Sequence, residues 1–168
     1  MKGVLAGPGV SPQAGRRWLW VALIAVALYP SWLAMMAVHE CGHVLNCWAT
    51  GGKVLQVVLE PLELSRTDYV SNPHPAVVAW GGVIWGSLLP LVLALAVPGK
   101  VRAAAMFFAG FCLVANGAYL TTGVFTRVGD AGALVDAGQS VVLMLTVGVV
   151  LWGGGLYVWH RLGSRARA

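Results

Sequence analysis

Four long apolar stretches constrain this chain more than any other feature. Residues 18–38, 76–98, 103–126 and 137–159 run 21, 23, 24 and 23 residues without Lys, Arg, Asp or Glu. A bilayer core needs about 20 apolar residues per helix. Composition agrees: only 10% of the 168 residues are charged, 58% are hydrophobic and mean hydropathy is +0.77. A soluble domain carries about 25% charged residues, and a disordered chain has low hydrophobicity and high net charge, so both classes are excluded. The expected fold is an all-α polytopic membrane protein, one domain over residues 1–168, with four transmembrane helices and a small β element after the first.

The charges set an orientation. Lys2, Arg16, Arg17, Lys100, Arg102, Arg161, Arg165 and Arg167 fall on one side of a four-span chain, and only Lys53, Arg66 and Arg127 on the other. The positive-inside rule then puts both termini in the cytoplasm, in a plasma membrane of prokaryotic type. The net charge of +5 is explained as a topology signal; lipid contact is compatible with it, and no nucleic-acid partner is expected. A signal peptide ending near Ala25-Val26-Ala27 is the rival for the first span, but the apolar run continues to Val38. Pro30 is expected to kink that helix, as membrane helices tolerate.

The chemistry lies at the end of the first span, in His39-Glu40-Cys41-Gly42-His43. Residues four apart share one face of a helix, so both imidazoles can point at one metal. Glu40 lies beside His39, within reach of a water at that metal without being a ligand. This is the zinc pattern with a carboxylate base. An ionisable residue in a membrane helix costs about 2.5–3.5 kcal/mol on insertion scales. Three in five positions are therefore hard to attribute to packing.

The motif resembles the H-E-x-G-H signature of the site-2 protease family of intramembrane zinc metalloproteases, peptidase family M50. That resemblance implies zinc, a peptide or membrane-protein substrate, Glu40 as catalytic base, and a third ligand, an Asp from a later helix in an L-D-G context. The matching segment is Gly129-Asp130-Ala131-Gly132, which departs from the pattern on both sides of the Asp. It implies His39, His43 and Asp130 as metal ligands. Topology is consistent: the His pair ends the first span and Asp130 follows the third, so both reach the same membrane face. Asp136 and His74 are the alternatives for the third ligand, and helix capping is the metal-free account of Asp130.

The remaining polar and small residues have simpler readings. Three cysteines, Cys41, Cys47 and Cys112, match no disulfide framework. Cys47 lies about 12 Å along the helix from His39, too far to share its metal, and Cys41 is expected to pack away from it. His74 reads as a turn residue and His160 as interfacial. Asn116, an amide within the third span, reads as an interhelical hydrogen bonder, with substrate or oxyanion orientation as the functional alternative. Lys53–Leu64 reads as a short strand or hairpin, either a folded loop or an edge for an extended peptide. Gly82-x-x-x-Gly86 and Gly153-Gly154-Gly155 read as helix-packing positions, and Trp18, Trp20 and Trp159 as interfacial anchors.

The function expected from these features is intramembrane zinc-dependent proteolysis. A non-catalytic metal-binding module that senses or binds a partner is the alternative, though such a site has no need of Glu40. A metal transporter is disfavoured, because the second and fourth spans carry no ionisable residue.

Overall fold

The computed structural model describes residues 12–99 and 101–165. Lys2, Lys100 and Arg167, and the side chain of Trp20, lie outside the described residues. The described chain runs α1 (Pro12–Ala49), β1 (Val54–Val58), β2 (Arg66–Tyr69), α2 (Pro75–Ala96), α3 (Val101–Thr126), α4 (Gly129–Asp136) and α5 (Val141–Arg165). Among the described residues, α1, α2, α3 and α5 are long and apolar enough to cross a membrane.

α1 is longer than its apolar run. Its 38 residues extend about 57 Å at 1.5 Å per residue, well beyond one bilayer core. Pro30 lies inside the helix without ending it. Nearby, Ser31 Oγ donates to the Ala27 carbonyl at 2.8 Å. No described residue between 15 and 30 is buried; burial begins with Met35 and Met36. The motif half of α1 is therefore the half that the other helices enclose.

Helix packing rests on small residues, for the reason the G-x-x-x-G pattern gives: without a side chain, backbones approach closely. α1 meets α2 where Gly42 and Gly81 face each other, and a Cβ on either would collide with the other's carbonyl oxygen. α3 meets α5 in the same way at Gly117 with Gly148, and a Cβ on Gly155 would collide with the Gly110 carbonyl oxygen, while one on Gly110 would strike the Trp159 ring. Of the triple glycine in α5, only Gly155 makes such a contact; Gly153 and Gly154 face open space. A core of Ala79, Val83, Leu120, Val124, Ala131, Leu134 and Met144 joins α2, α3, α4 and α5. Met35 and Met36 pack separately on Cys112 of α3. Trp159, expected as an interfacial anchor, stacks on Phe107 and donates to its carbonyl at 3.0 Å, so it packs within the bundle.

The β element is a two-stranded antiparallel sheet with a bulge between Val54 and Gln56. Its second strand, Arg66-Thr67-Asp68-Tyr69, lies beyond the segment expected to be extended. Four mostly polar residues carry no apolar alternation, and pairing with β1 creates the strand. Trp32 Nε1 donates to the Pro61 carbonyl at 3.2 Å, tying the connecting turn to α1.

Asp136 ends α4, a separate short helix, and α5 starts only at Val141, four residues beyond the expected start of the last span. Gly138, at φ +74°, makes the break. That left-handed backbone is one glycine adopts readily.

Candidate metal and catalytic centre

His39, Glu40 and His43 are buried at 8%, 3% and 6% exposure, on the one helical face their spacing dictates. Asp130 reaches them from α4. Its Oδ2 lies 2.8 Å from His39 Nε2 and its Oδ1 3.2 Å from His43 Nε2. One ligand atom from each of the three lies within 4.8 Å of the others.

The turn before α4 makes this approach possible. Arg127 and Gly129 both adopt positive φ, +52° and +59°. A Cβ on Gly129 would strike the Tyr119 hydroxyl, so only glycine fits there. The turn presents the Asp130 N–H to Tyr119 Oη at 3.1 Å. Asp130 stands in the first turn of α4 but does not cap it; Val128 occupies the cap position with no side-chain bond. The capping account of Asp130 is thus replaced by a carboxylate turned toward the two imidazoles.

Both imidazoles are oriented from behind. His39 Nδ1 lies 2.6 Å from Asn116 Oδ1, and the Asn116 amide donates to the Cys112 carbonyl at 2.9 Å, which fixes its flip. His43 Nδ1 lies 2.8 Å from the Val78 carbonyl. Each partner is an acceptor, so each Nδ1 is assigned the proton. Both Nε2 atoms then present lone pairs, and they face a carboxylate. Three acceptors converging in a buried space call for a cation. Two imidazole nitrogens and one carboxylate, each imidazole held by an outer partner, form a donor set that fits zinc with a position left open. Asn116 accordingly serves the imidazole; no contact with substrate is needed to account for it.

Gly82 of α2 closes the site from another side. A Cβ there would collide with Nε2 of both His39 and His43. Gly86, one turn on, lies against Asn116. The G-x-x-x-G pattern therefore packs α2 against the cluster itself.

Glu40 is held from the sheet. Thr67 Oγ1 donates to Glu40 Oε2 at 2.7 Å. Among the described residues, Oε1 has no hydrogen-bond partner. Thr67 and Tyr69, two apart on β2, both line a cavity of about 240 Å³ that also holds His39, Glu40, His43 and Asp130.

The other residues singled out in the sequence lie elsewhere. Asp136 is exposed and pairs with Arg127 at 3.3 Å. His74 is an exposed turn residue before α2, its N–H bonded to Asn72 Oδ1 at 2.7 Å. Cys47 is buried beside Asn72. Cys41 is exposed rather than packed. Thr67, Tyr119 and the Val78 carbonyl were not found by sequence reasoning. A lone hydroxyl, a lone phenol and a backbone oxygen carry no spacing signal, and only the fold brings them here.

A sequence model described as Peptidase M50B-like matches residues 16–155. No curated protein and no solved structure gives a significant match. The matched region spans the His39–His43 motif, both strands, Asp130 and most of the last helix, and four helices have the length and apolarity of membrane spans. The chain is an integral membrane protein and belongs to the peptidase M50B-like family, within the site-2 protease M50 group.

Proposed function

We propose that the protein is a zinc-dependent endopeptidase that hydrolyses peptide bonds of membrane or membrane-adjacent proteins. One observation carries the reading: three lone-pair donors, from His39, His43 and Asp130, converge in a buried cavity that also holds the buried acid Glu40. Zinc held by those three groups would polarise the scissile carbonyl and lower the pKa of a water towards about 7.

The chain's own residues supply the rest. Glu40 accepts a proton from the attacking water and returns it to the leaving amine. Thr67 keeps Oε2 occupied, so Oε1 is the oxygen available for that transfer. Asn116 and the Val78 carbonyl hold both imidazoles in the tautomer that turns Nε2 inward. The charge asymmetry places both termini in the cytoplasm. A cysteine tag after residue 168 is then protected from an impermeant label in intact cells, and labelling there inverts the orientation.

The test of the activity is Glu40→Gln in the purified full chain. The amide cannot act as a base, so zinc content stays at the wild-type level and cleavage is lost. Normal turnover in this variant, or equal cleavage by zinc-free wild type, overturns the reading.

A further inference from the structure

The end of the bundle opposite the His–His–Asp cluster carries an open cleft of about 530 Å³ between α3 and α5, bordered by the end of α2. Three arginines line it, Arg102 from α3 and Arg161 and Arg165 from α5. Arg161 and Arg165 are four residues apart and so share one helical face. The antiparallel crossing of the two helices sets the level of all three. Gly155 of α5 abuts the Gly110 carbonyl of α3. From that crossing Arg102 lies about 12 Å back along α3, and Arg161 and Arg165 about 9 Å and 15 Å on along α5, at 1.5 Å per residue. The guanidinium groups therefore gather at one level.

Nothing among the described residues neutralises them. Arginine is always charged, and no Asp or Glu occurs in α2, α3 or α5. The arginine–carboxylate pairs among the described residues are Arg66–Asp68 and Arg127–Asp136. The helix dipole favours Arg165, in the last turn of α5, but opposes Arg102, the second residue of α3. Deeper in the cleft the wall is apolar. Met106 lies one turn into α3 from Arg102, Val158 about one turn into α5 from Arg161, and Leu95 faces them from α2. Polarity thus changes in the same direction on both helices, from cations at the helix ends to hydrocarbon towards the middle.

We propose that this cleft binds one anionic phospholipid, its phosphodiester held by Arg102, Arg161 and Arg165 and its acyl chains lying against Leu95, Met106 and Val158. Guanidinium forks match phosphate oxygens two at a time, and basic pockets between membrane helices suit such headgroups. A soluble anion uses only the charged end of the cleft, whereas a phospholipid fills both ends. A zwitterionic headgroup brings its own cation, which the three arginines repel. Topology alone does not require this clustering: Arg16 and Arg17 supply the same sign of charge and do not line the cleft. The site is independent of the proteolytic reading. Asn116, the partner of His39, lies about 21 Å further along α3 than Arg102.

The test uses the purified, delipidated full chain in detergent, titrated with phosphatidylglycerol or phosphatidylcholine, with lipid retained per chain read by native mass spectrometry. One phosphatidylglycerol should be held at least tenfold more tightly than phosphatidylcholine. Arg102→Gln, Arg161→Gln and Arg165→Gln should each weaken it by about fivefold, the contribution of one basic group at an anionic surface. The triple variant should lose the preference. All three side chains are exposed, so the single variants should melt near wild type without lipid. Phosphatidylglycerol should raise the melting temperature of wild type and not of the triple variant. A variant carrying both Arg16→Gln and Arg17→Gln loses two charges outside the cleft and should keep wild-type affinity. Equal retention of the two lipids overturns the proposal. Loss in the Arg16/Arg17 variant equal to that in the cleft variants replaces the site with diffuse surface charge. Displacement of the lipid by inorganic phosphate or glycerol phosphate at equal concentration assigns the cleft to a soluble anion instead.

Discussion

Thr67 Oγ1 donates a 2.7 Å hydrogen bond to Glu40 Oε2, joining β2 to the buried acid on α1. The sheet is thus part of the centre as well as a cover over it. A hydrogen bond to a charged group is worth about 1.5–3 kcal/mol, and each 1.4 kcal/mol is tenfold in rate. Thr67→Val is therefore expected to lower kcat by about tenfold to a hundredfold, with zinc content intact. Thr67→Ser keeps the hydroxyl and should retain most activity. Paired measurements of zinc per chain and of kcat decide it; an undiminished kcat in Thr67→Val releases Glu40 from the strand.

Asn116 predicts a different signature. Its Oδ1 holds the Nδ1 proton of His39, and outer partners of metal ligands typically contribute 10–100-fold in affinity. Asn116→Ala should weaken zinc binding by about that factor, read by chelator competition, while Asn116→Asp keeps the acceptor and the affinity. Equal affinity in the alanine variant would show that His39 orients itself.

Gly82 offers a steric test of where the metal sits. Gly82→Ala adds one methyl group against Nε2 of both His39 and His43. Zinc binding and cleavage should both be lost, although alanine is the better helix former by about 1 kcal/mol. Gly153→Ala and Gly154→Ala add the same methyl in open space and should leave zinc content and cleavage unchanged. Retained zinc in Gly82→Ala would move the metal away from the two Nε2 atoms.

Two carboxylates on one short helix are expected to behave oppositely. Asp130→Ala removes the proposed oxygen ligand and should abolish zinc binding at micromolar metal. Asp136→Ala removes only an exposed pair with Arg127, of a kind worth about 0–1 kcal/mol, and should keep zinc and activity. Zinc content of the two variants measured side by side separates them, and loss in Asp136→Ala alone would reverse the assignment.

Much of this protein is dictated locally. Apolar run length alone specifies four membrane helices, because a bilayer leaves a polar backbone no partner but itself. The i, i+4 spacing of His39 and His43 specifies a shared face for the same local reason. Gly129 also announces its turn in the sequence, since few other residues adopt its backbone angles. Other features are invisible at that level. The sequence favours Asp130 over Asp136 only through its flanking glycines and the family resemblance. The separation of α4 from α5, and the turn at Arg127 and Gly129, aim one at the imidazoles and the other at solvent. The strand Arg66–Tyr69 exists because β1 pairs with it, and Thr67 meets Glu40 only through that pairing. Asn116 and Gly82 acquire their places from helices far apart in the chain. Secondary structure follows from short-range sterics and solvation, which a sequence displays directly. The orientation of the imidazoles and the hold on Glu40 come from contacts between residues 27 to 91 positions apart, and tertiary packing alone decides which of these residues meet.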